Sequence, residues 1–439
     1  MAFADRYVLG ERVGMGATGE VLRAFDQRRG IPVAIKRLHE HLVADPFSRE
    51  RFRCEIALSS RVDNEHVVRC FDGGLDEDDR PYLVLEWLDG QDLATRMKTA
   101  PVPFAEALEI VRQTALGLDA LHQAGIVHRD VKPRNLFLTP SADKPFVVKL
   151  LDLGVAFDAD GAPSETVPFG TPFYMSPEQA RATASIGPAS DLFALAALAF
   201  ELFTNQRPFS GPTTFVLLAK ISLQMTPRLS DAWPEAPPEL DAFLARCMAR
   251  DPNSRFTSAR AMAEELAHMS HLQPTSAAPL HPPEVPSVEP DADHLMAVIF
   301  GRLPRSTNVH QAHTSFQNIV RKHQGSAITL LGRGVVSVFH GECADALLRA
   351  ADAVLELAEH IPGARWSLST DASLPVDAGL SESLIDRGTF TLERPRTGPN
   401  ESPIRLDDQT ASLLEEHYVI EGTARALSLR AVRPVASRP

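Results

Sequence analysis

Cysteine is scarce. The 439 residues hold four, Cys54, Cys70, Cys247 and Cys343. None forms a Cys-x-x-Cys pair, and their wide spacing argues against a disulfide framework or a zinc site. Reduced thiols in a cytoplasmic protein are expected. Positive charge is also short. Lys and Arg number 44 against 57 Asp and Glu, a formal net charge of −13. A chain of this balance is not expected to bind nucleic acid or an anionic membrane generally. The opening MAFADRYVLGER lacks the apolar core of a signal peptide. The most apolar run, LFALAALAFELF at 192–203, is shorter than the ~20 residues a bilayer-spanning helix needs. It reads as a buried helix, so no membrane anchor is expected. No internal repeat at a solenoid period is present.

Hydrophobic residues make up 44% and charged residues 23%, a balance that suits a soluble protein with large cores. At ~150 residues per domain the length allows about three domains, or two if one is large. Proline crowds residues 273–290, QPTSAAPLHPPEVPSVEP. Such density removes backbone donors and blocks helix, which predicts a semi-extended linker over 271–292. The domains on either side are expected at 7–270 and 293–430.

Within the first, short β-like segments at 7–13, 20–25, 33–38 and 83–86 surround one helical pattern at 46–62. Helical spacing then dominates at 105–123, 189–204, 237–250 and 258–268. This predicts a β-rich small lobe (7–88), a helical large lobe (89–270) and a ligand cleft between them.

Four motifs carry chemistry. Gly14, Gly16 and Gly19 form a GxGxxG run. A strand-like EVLRAFD follows it rather than a helix, so it is a glycine-rich hairpin and not a dinucleotide motif. Glycines let backbone amides approach phosphates without a Cβ clash. Val33-Ala34-Ile35-Lys36 ends a strand on a cation that can face α/β-phosphates, with Glu55 on the following helix as its acidic partner. His128-Arg129-Asp130-Val131-Lys132-Pro133-Arg134-Asn135 puts a proton acceptor (Asp130), a cation (Lys132) and a metal-holding amide (Asn135) on one loop. Asp152, in LDLG at 151–154, supplies a second metal contact.

In this order the motifs resemble those of the eukaryotic-type serine/threonine protein kinases found in bacteria. The resemblance covers about 7–270 and includes GTPFYMSPE, SDLFAL and DPNSRF. It implies an α+β, bilobal protein-kinase fold. It also implies that Gly14, Gly16 and Gly19 cover the ATP phosphates and that Val21 and Ala34 cap the adenine. Val13 belongs to the same nucleotide set. Lys36 contacts the α/β-phosphates, held by Glu55, while Glu86, Trp87 and Leu88 form the hinge. Asp130 orients or deprotonates the substrate hydroxyl, Lys132 meets the γ-phosphate, and Asn135 and Asp152 hold Mg²⁺. Thr171 lies in the peptide-docking loop, Glu178 pairs with Arg255, and Asp191 braces the catalytic loop. Leu153 and Ser176 depart from the usual phenylalanine and alanine, away from the reacting atoms. Arg129 is expected to meet a phosphate on the activation loop, placed there by autophosphorylation at Thr166 or Ser164.

The second half reads as strand 295–300, helix 309–323, strands 327–331 and 335–339 joined by Gly332-Arg333-Gly334, helix 343–360 and strand 365–369. That is the βαββαβ order of ferredoxin-like folds. VIFGRL and TLLGRGVVSVF resemble segments of class III nucleotide cyclase catalytic domains, and the likeness fades after about residue 370. Where that family carries metal-binding aspartates this chain has Arg302 and Arg333. Metal-assisted cyclase chemistry is therefore not expected. Two uses stay open: a homodimerisation or partner-docking module, and a site for an anionic ligand.

The expected protein is thus an ATP- and Mg²⁺-dependent kinase acting on Ser and Thr of protein substrates. It carries a cyclase-like domain without catalysis of its own. A rival reading, an ATP-binding scaffold without catalysis, is opposed by the complete Lys36, Asp130, Asn135 and Asp152 set.

Overall fold

The computed structural model describes residues 3–16, 19–153, 172–181, 186–272, 274, 294–371, 380–394, 402–422 and 427–433. Strands β1 (Tyr7–Met15), β2 (Gly19–Asp26) and β3 (Ile31–Leu38) are followed by helices α1 (Glu40–Val43) and α2 (Pro46–Ser59), then by β4 (Cys70–Leu75) and β5 (Pro81–Glu86). The strands form an antiparallel sheet in the order β1-β2-β3-β5-β4. α2 starts where Asp45 accepts the Ser48 amide at 3.0 Å and Pro46 fills a first-turn position that needs no donor.

The large lobe holds β6 (Gln91–Asp92), α3 (Leu93–Thr99), α4 (Phe104–Gln123), β7 (Leu136–Thr139) and β8 (Val147–Leu150). Helices α5 (Pro177–Ala180), α6 (Pro188–Thr204), α7 (Thr214–Leu223), α8 (Leu229–Ala232), α9 (Pro238–Cys247) and α10 (Ala259–His268) complete it. The apolar run at 192–203 lies in α6 and is buried except at Glu201. It is a core helix packed against α4. Among the described residues no helix is long and apolar enough to cross a membrane.

The last unit contains β9 (His294–Arg302), α11 (Val309–Lys322), β10 (Ser326–Thr329), β11 (Gly334–Glu342), α12 (Cys343–His360) and β12 (Arg365–Asp371). After these come α13 (Glu382–Glu393), β13 (Ile404–Leu406), α14 (Asp408–Leu414), β14 (Tyr418–Glu421) and β15 (Leu427–Val432). Its sheet runs β10-β11-β9-β12-β13-β15-β14, with β10, β11, β9 and β12 all antiparallel neighbours. Successive side chains of β9 face opposite sides. Ala297 and Ile299 join a core with Phe316 and Val354. Met296, Val298 and Phe300 join a second core with Leu384 and Ile385 of α13 that continues into the large lobe at Phe215 and Leu217.

The two units therefore share packing. A Cβ on Gly334 would sit 2.7 Å from the Phe215 ring, so a side chain there would push β11 off α7. Leu331 donates its amide to the Ala180 carbonyl, and Leu380 to the Leu223 carbonyl, both at 2.8 Å. Lys220 of α7, 5% exposed, sits between Glu382 at 2.7 Å and Asp386 at 2.9 Å.

Candidate active site

The loop after α4 is built around one buried carboxylate. Asp191, in the first turn of α6, accepts the amides of His128 at 2.8 Å and Arg129 at 2.7 Å, and pairs with His122 Nε2 at 2.8 Å. Burial alone would raise its pKa, but hydrogen bonding from His122 and the charges nearby win, and the carboxyl is held below its ordinary range. These bonds hold Arg129 at φ +63°, a left-handed conformation that is strained for a non-glycine residue. Gln179 of α5 donates to the Arg129 carbonyl at 2.9 Å and ties the loop to the next segment.

So braced, Asp130 presents its carboxylate to the cleft, 29% exposed. Lys132 Nζ lies 2.7 Å from its Oδ2. The Asn135 side-chain amide donates to the Asp130 carbonyl at 2.8 Å and to Oδ2 at 3.0 Å. The three residues thus converge on one carboxylate, an acceptor beside a cation.

A second cluster adjoins this loop, where the Leu151 amide donates to the Asn135 carbonyl at 2.8 Å. Lys36 Nζ contacts Glu55 Oε1 at 2.5 Å and Asp152 Oδ1 at 2.6 Å. Asp152, like Arg129, has a left-handed backbone, φ +61°. One cation serves two carboxylates. Burial, opposed by Lys36 and reinforced by Asp152, lifts Glu55 from its ordinary 4.5 to about 7. Burial lowers Lys36, but the two carboxylates more than reverse this and its pKa is raised. For Glu55 the sign follows from the raised value. The proton favours the folded state, so this contribution is full below pH 4.5 and is lost as pH rises through 7. Carbon-13 NMR of Glu55 in the nucleotide-free chain is expected to titrate with a midpoint near 7. Asp152→Asn is expected to lower that midpoint, because it removes the second carboxylate.

The donors present fit a hard divalent cation. Both amide hydrogens of Asn135 are directed at Asp130, which leaves its carbonyl oxygen as the atom toward a metal, and the Asp152 side chain is 46% exposed. Among the described residues no group of three or more His, Cys, Asp and Glu is assembled to hold a metal.

The glycine-rich hairpin is made by β1 and β2. Gly14 pairs with Val21 across β1 and β2. The Gly16 amide donates to the Gly19 carbonyl at 2.8 Å. Gly19 must lack a side chain, since a Cβ would collide with the Arg37 carbonyl. Register places Val21 beside Lys36 and Ala34 beside Leu85. Val13 lies on the hairpin, 47% exposed. The Glu86 carboxylate is taken by the Arg69 amide at 2.8 Å and Lys149 at 2.6 Å. Trp87 and Leu88 follow at the lobe junction, half-buried.

Below the cleft, Arg255 grips Glu178 through a fork at 2.7 and 2.9 Å, and Ser190 adds a bond at 2.6 Å. Ser176 N-caps α5 in a reciprocal box with Gln179. Leu153 is buried. Ser164, Thr166 and Thr171 lie outside the described residues. Reasoning from sequence missed His122 and Gln179 as positioning residues. Nothing in a lone histidine on α4 or a glutamine on α5 marks it as a partner of a distant loop.

The family model described as protein kinase domain matches residues 7–268. Among curated relatives, the serine/threonine-protein kinase PknL of Mycobacterium tuberculosis is 34% identical over 265 residues, 60% of this chain and 65% of that protein. The probable serine/threonine-protein kinase PknB of Corynebacterium glutamicum is 36% identical over 291 residues, 63% of this chain and 44% of that protein. The chain thus spans less than two thirds of the length of these relatives. A crystal structure of the Mycobacterium tuberculosis PknI kinase domain aligns with a TM-score of 0.49 at 28% identity, covering 61% of this chain and 97% of that one.

Proposed function

The chain belongs to the protein kinase family, and on that premise we propose that it transfers the γ-phosphoryl group of ATP to Ser and Thr hydroxyls of proteins. The observation that carries this reading is the pair of clusters, Asp130–Lys132–Asn135 and Lys36–Glu55–Asp152, each closed by contacts of 2.5–3.0 Å and joined by the Leu151–Asn135 backbone bond. In an in-line transfer, the substrate oxygen forms the new O–P bond as the bond to ADP breaks. Asp130 orients the hydroxyl and accepts its proton. Lys132, already beside that carboxylate, offsets charge on the transferred group. Lys36 is aimed by Glu55 at the α/β-phosphates, and the hairpin amides around Gly14, Gly16 and Gly19 cover them. Bound at Asn135 and Asp152, Mg²⁺ would neutralise charge on the β- and γ-phosphates. Incubation of the full chain with γ-labelled ATP, Mg²⁺ and a basic acceptor protein is expected to put label in phosphoserine and phosphothreonine. Label in phosphotyrosine alone would contradict the Ser/Thr assignment.

For the C-terminal unit we propose a cyclase-like module used for regulation in cis. The strand order β10-β11-β9-β12 supports the βαββαβ reading. Arg302 is spent on Glu393 at 3.4 Å and on the Phe215 ring. Arg333 donates to the carbonyls of Pro304 and Thr307. Both uses favour structure over binding of an anion. The second apolar face of the sheet lies against the large lobe, so a homodimer would have to pair through another face. Lys220→Glu is expected to loosen the seam and speed amide exchange in α7 and α13. Adding Glu382→Lys and Asp386→Lys is expected to restore protection, with a coupling of about 1 kcal/mol in a double-mutant cycle.

A further inference from the structure

Where the C-terminal unit meets the large lobe, two arginines converge with no acid paired to either among the described residues. Arg181 follows α5 and Arg250 follows α9. The Nη2 of each donates to the same oxygen, the Ser222 carbonyl in the last turn of α7 (Arg250 at 2.5 Å). The Nε of each is buried without a hydrogen-bond partner among the described residues. Among the described residues neither forms an ion pair, unlike the neighbouring cations Lys220 and Arg255, which hold carboxylates. Glu178, the one acid that acts on Arg181, is already forked by Arg255. Burial lowers the pKa of both arginines, and Arg181 pushes Arg250 further down, to about 10.

A helix C-terminus explains one of these cations and not two. Its dipole offers roughly −0.5 charge, whereas the pair brings +2. Two further polar groups on the same segment are unmatched. Among the described residues, the hydroxyl of fully buried Ser222 has no partner, and neither has the buried side-chain oxygen of Gln224. Amide orientation is reversible, so Gln224 can present its NH₂ instead. Buried groups of this kind normally find partners.

We infer that Arg181, Arg250, Ser222 and Gln224 together bind a phosphoryl group, either inorganic phosphate or a phosphate monoester. Two planar guanidinium forks suit a multi-oxygen anion. A phosphate monoester carries about −1.5 to −2 charge at neutral pH and so balances both arginines, which a single carboxylate does not. The site also bridges the two units. The adjacent Leu223 carbonyl accepts the Leu380 amide, and Gln224 pairs with Leu380. An anion here fixes α5, α7 and the approach to α13 together.

The test uses the full chain carrying Asp130→Asn, which does not phosphorylate itself, treated with phosphatase and saturated with a non-hydrolysable ATP analogue. Inorganic phosphate titrated at constant ionic strength is expected to raise the melting temperature saturably and to slow amide exchange in α5 and α7. Arg181→Met and Arg250→Met are each expected to weaken this response about tenfold or more. Arg250→Lys, which keeps the charge and loses the fork, serves as a second folded variant and is also expected to weaken it. No response, or an equal response in the variants, overturns the proposal. Wild-type chain that has phosphorylated itself distinguishes the sources. If it responds only after phosphatase treatment, a phosphoryl group on the chain fills the site. If it responds equally before and after, the ligand is free phosphate.

Discussion

Asp130→Asn is expected to lower kcat for phosphoryl transfer by about 10²–10⁴-fold, the range for loss of a positioned general base. Asparagine keeps the shape and cannot take a proton, and it loses the charge that Lys132 meets at 2.7 Å. The cluster of Lys36, Glu55 and Asp152, proposed to hold the nucleotide, does not include this residue. ATP affinity is therefore expected to stay within about twofold, a difference well under 1.4 kcal/mol. Initial rates and fluorescent-nucleotide binding measured on the same preparation check both halves. A variant that retains wild-type kcat would remove Asp130 from the chemistry.

The second large effect is on stability. Arg255→Met is expected to destabilise the large lobe by about 3–5 kcal/mol, the cost of leaving one partner of a buried ion pair uncompensated. The side chains of Arg255 and Glu178 are 0% and 8% exposed. Burial raises the pKa of Glu178, but its bonds and charge interaction with Arg255 outweigh this, so the carboxyl titrates below its ordinary range. In the wild type this stabilisation is present above that ordinary range and is lost as pH falls through the depressed value. Without Arg255 the burial effect is opposed only by the hydrogen bonds from Ser190 and the backbone, so most of the acid-side loss disappears and the variant gains stability relative to wild type as pH falls. Urea unfolding at neutral and acidic pH reads both effects. Glu178→Gln added to Arg255→Met is expected to recover part of the loss, because it removes the stranded charge.

Much of the secondary structure was legible, and the misses have local causes. The apolar run in α6 and the β-branched strands β3 and β9 announce themselves by pattern. β4 (CFDGGL) was missed because two glycines erase any alternation. Gly73 is there because a Cβ would strike the Ile56 side chain. α7 (TFVLLAKISL) was missed because nearly every position is apolar and every residue from Phe215 to Leu223 is buried, so no helical period exists. The reason became visible only with the C-terminal unit packed against it. The pattern at 237–250 overran α9, which stops at Cys247. The pattern at 46–62 overran α2, which stops at Ser59. β13, β14 and β15 lie where the cyclase likeness fades, and two of them have four residues or fewer. In the cleft, residue types and spacing singled out Lys36, Glu55, Asp130, Lys132, Asn135 and Asp152, which the structure gathers into two clusters. They did not give the 2.6 Å contact between Lys36 and Asp152 across 116 positions, nor the histidine and glutamine that hold the loop in place. Those depend on tertiary packing, which no local pattern encodes.

The central claim is transfer of phosphate from ATP to a protein hydroxyl. The most direct test is a single-turnover reaction of the full chain with γ-labelled ATP, Mg²⁺ and an acceptor protein. Label is expected to leave ATP and to appear in equal amount as acid-stable, alkali-labile phosphoprotein. ATP that stays intact, or that yields only inorganic phosphate with no phosphoprotein, would contradict it.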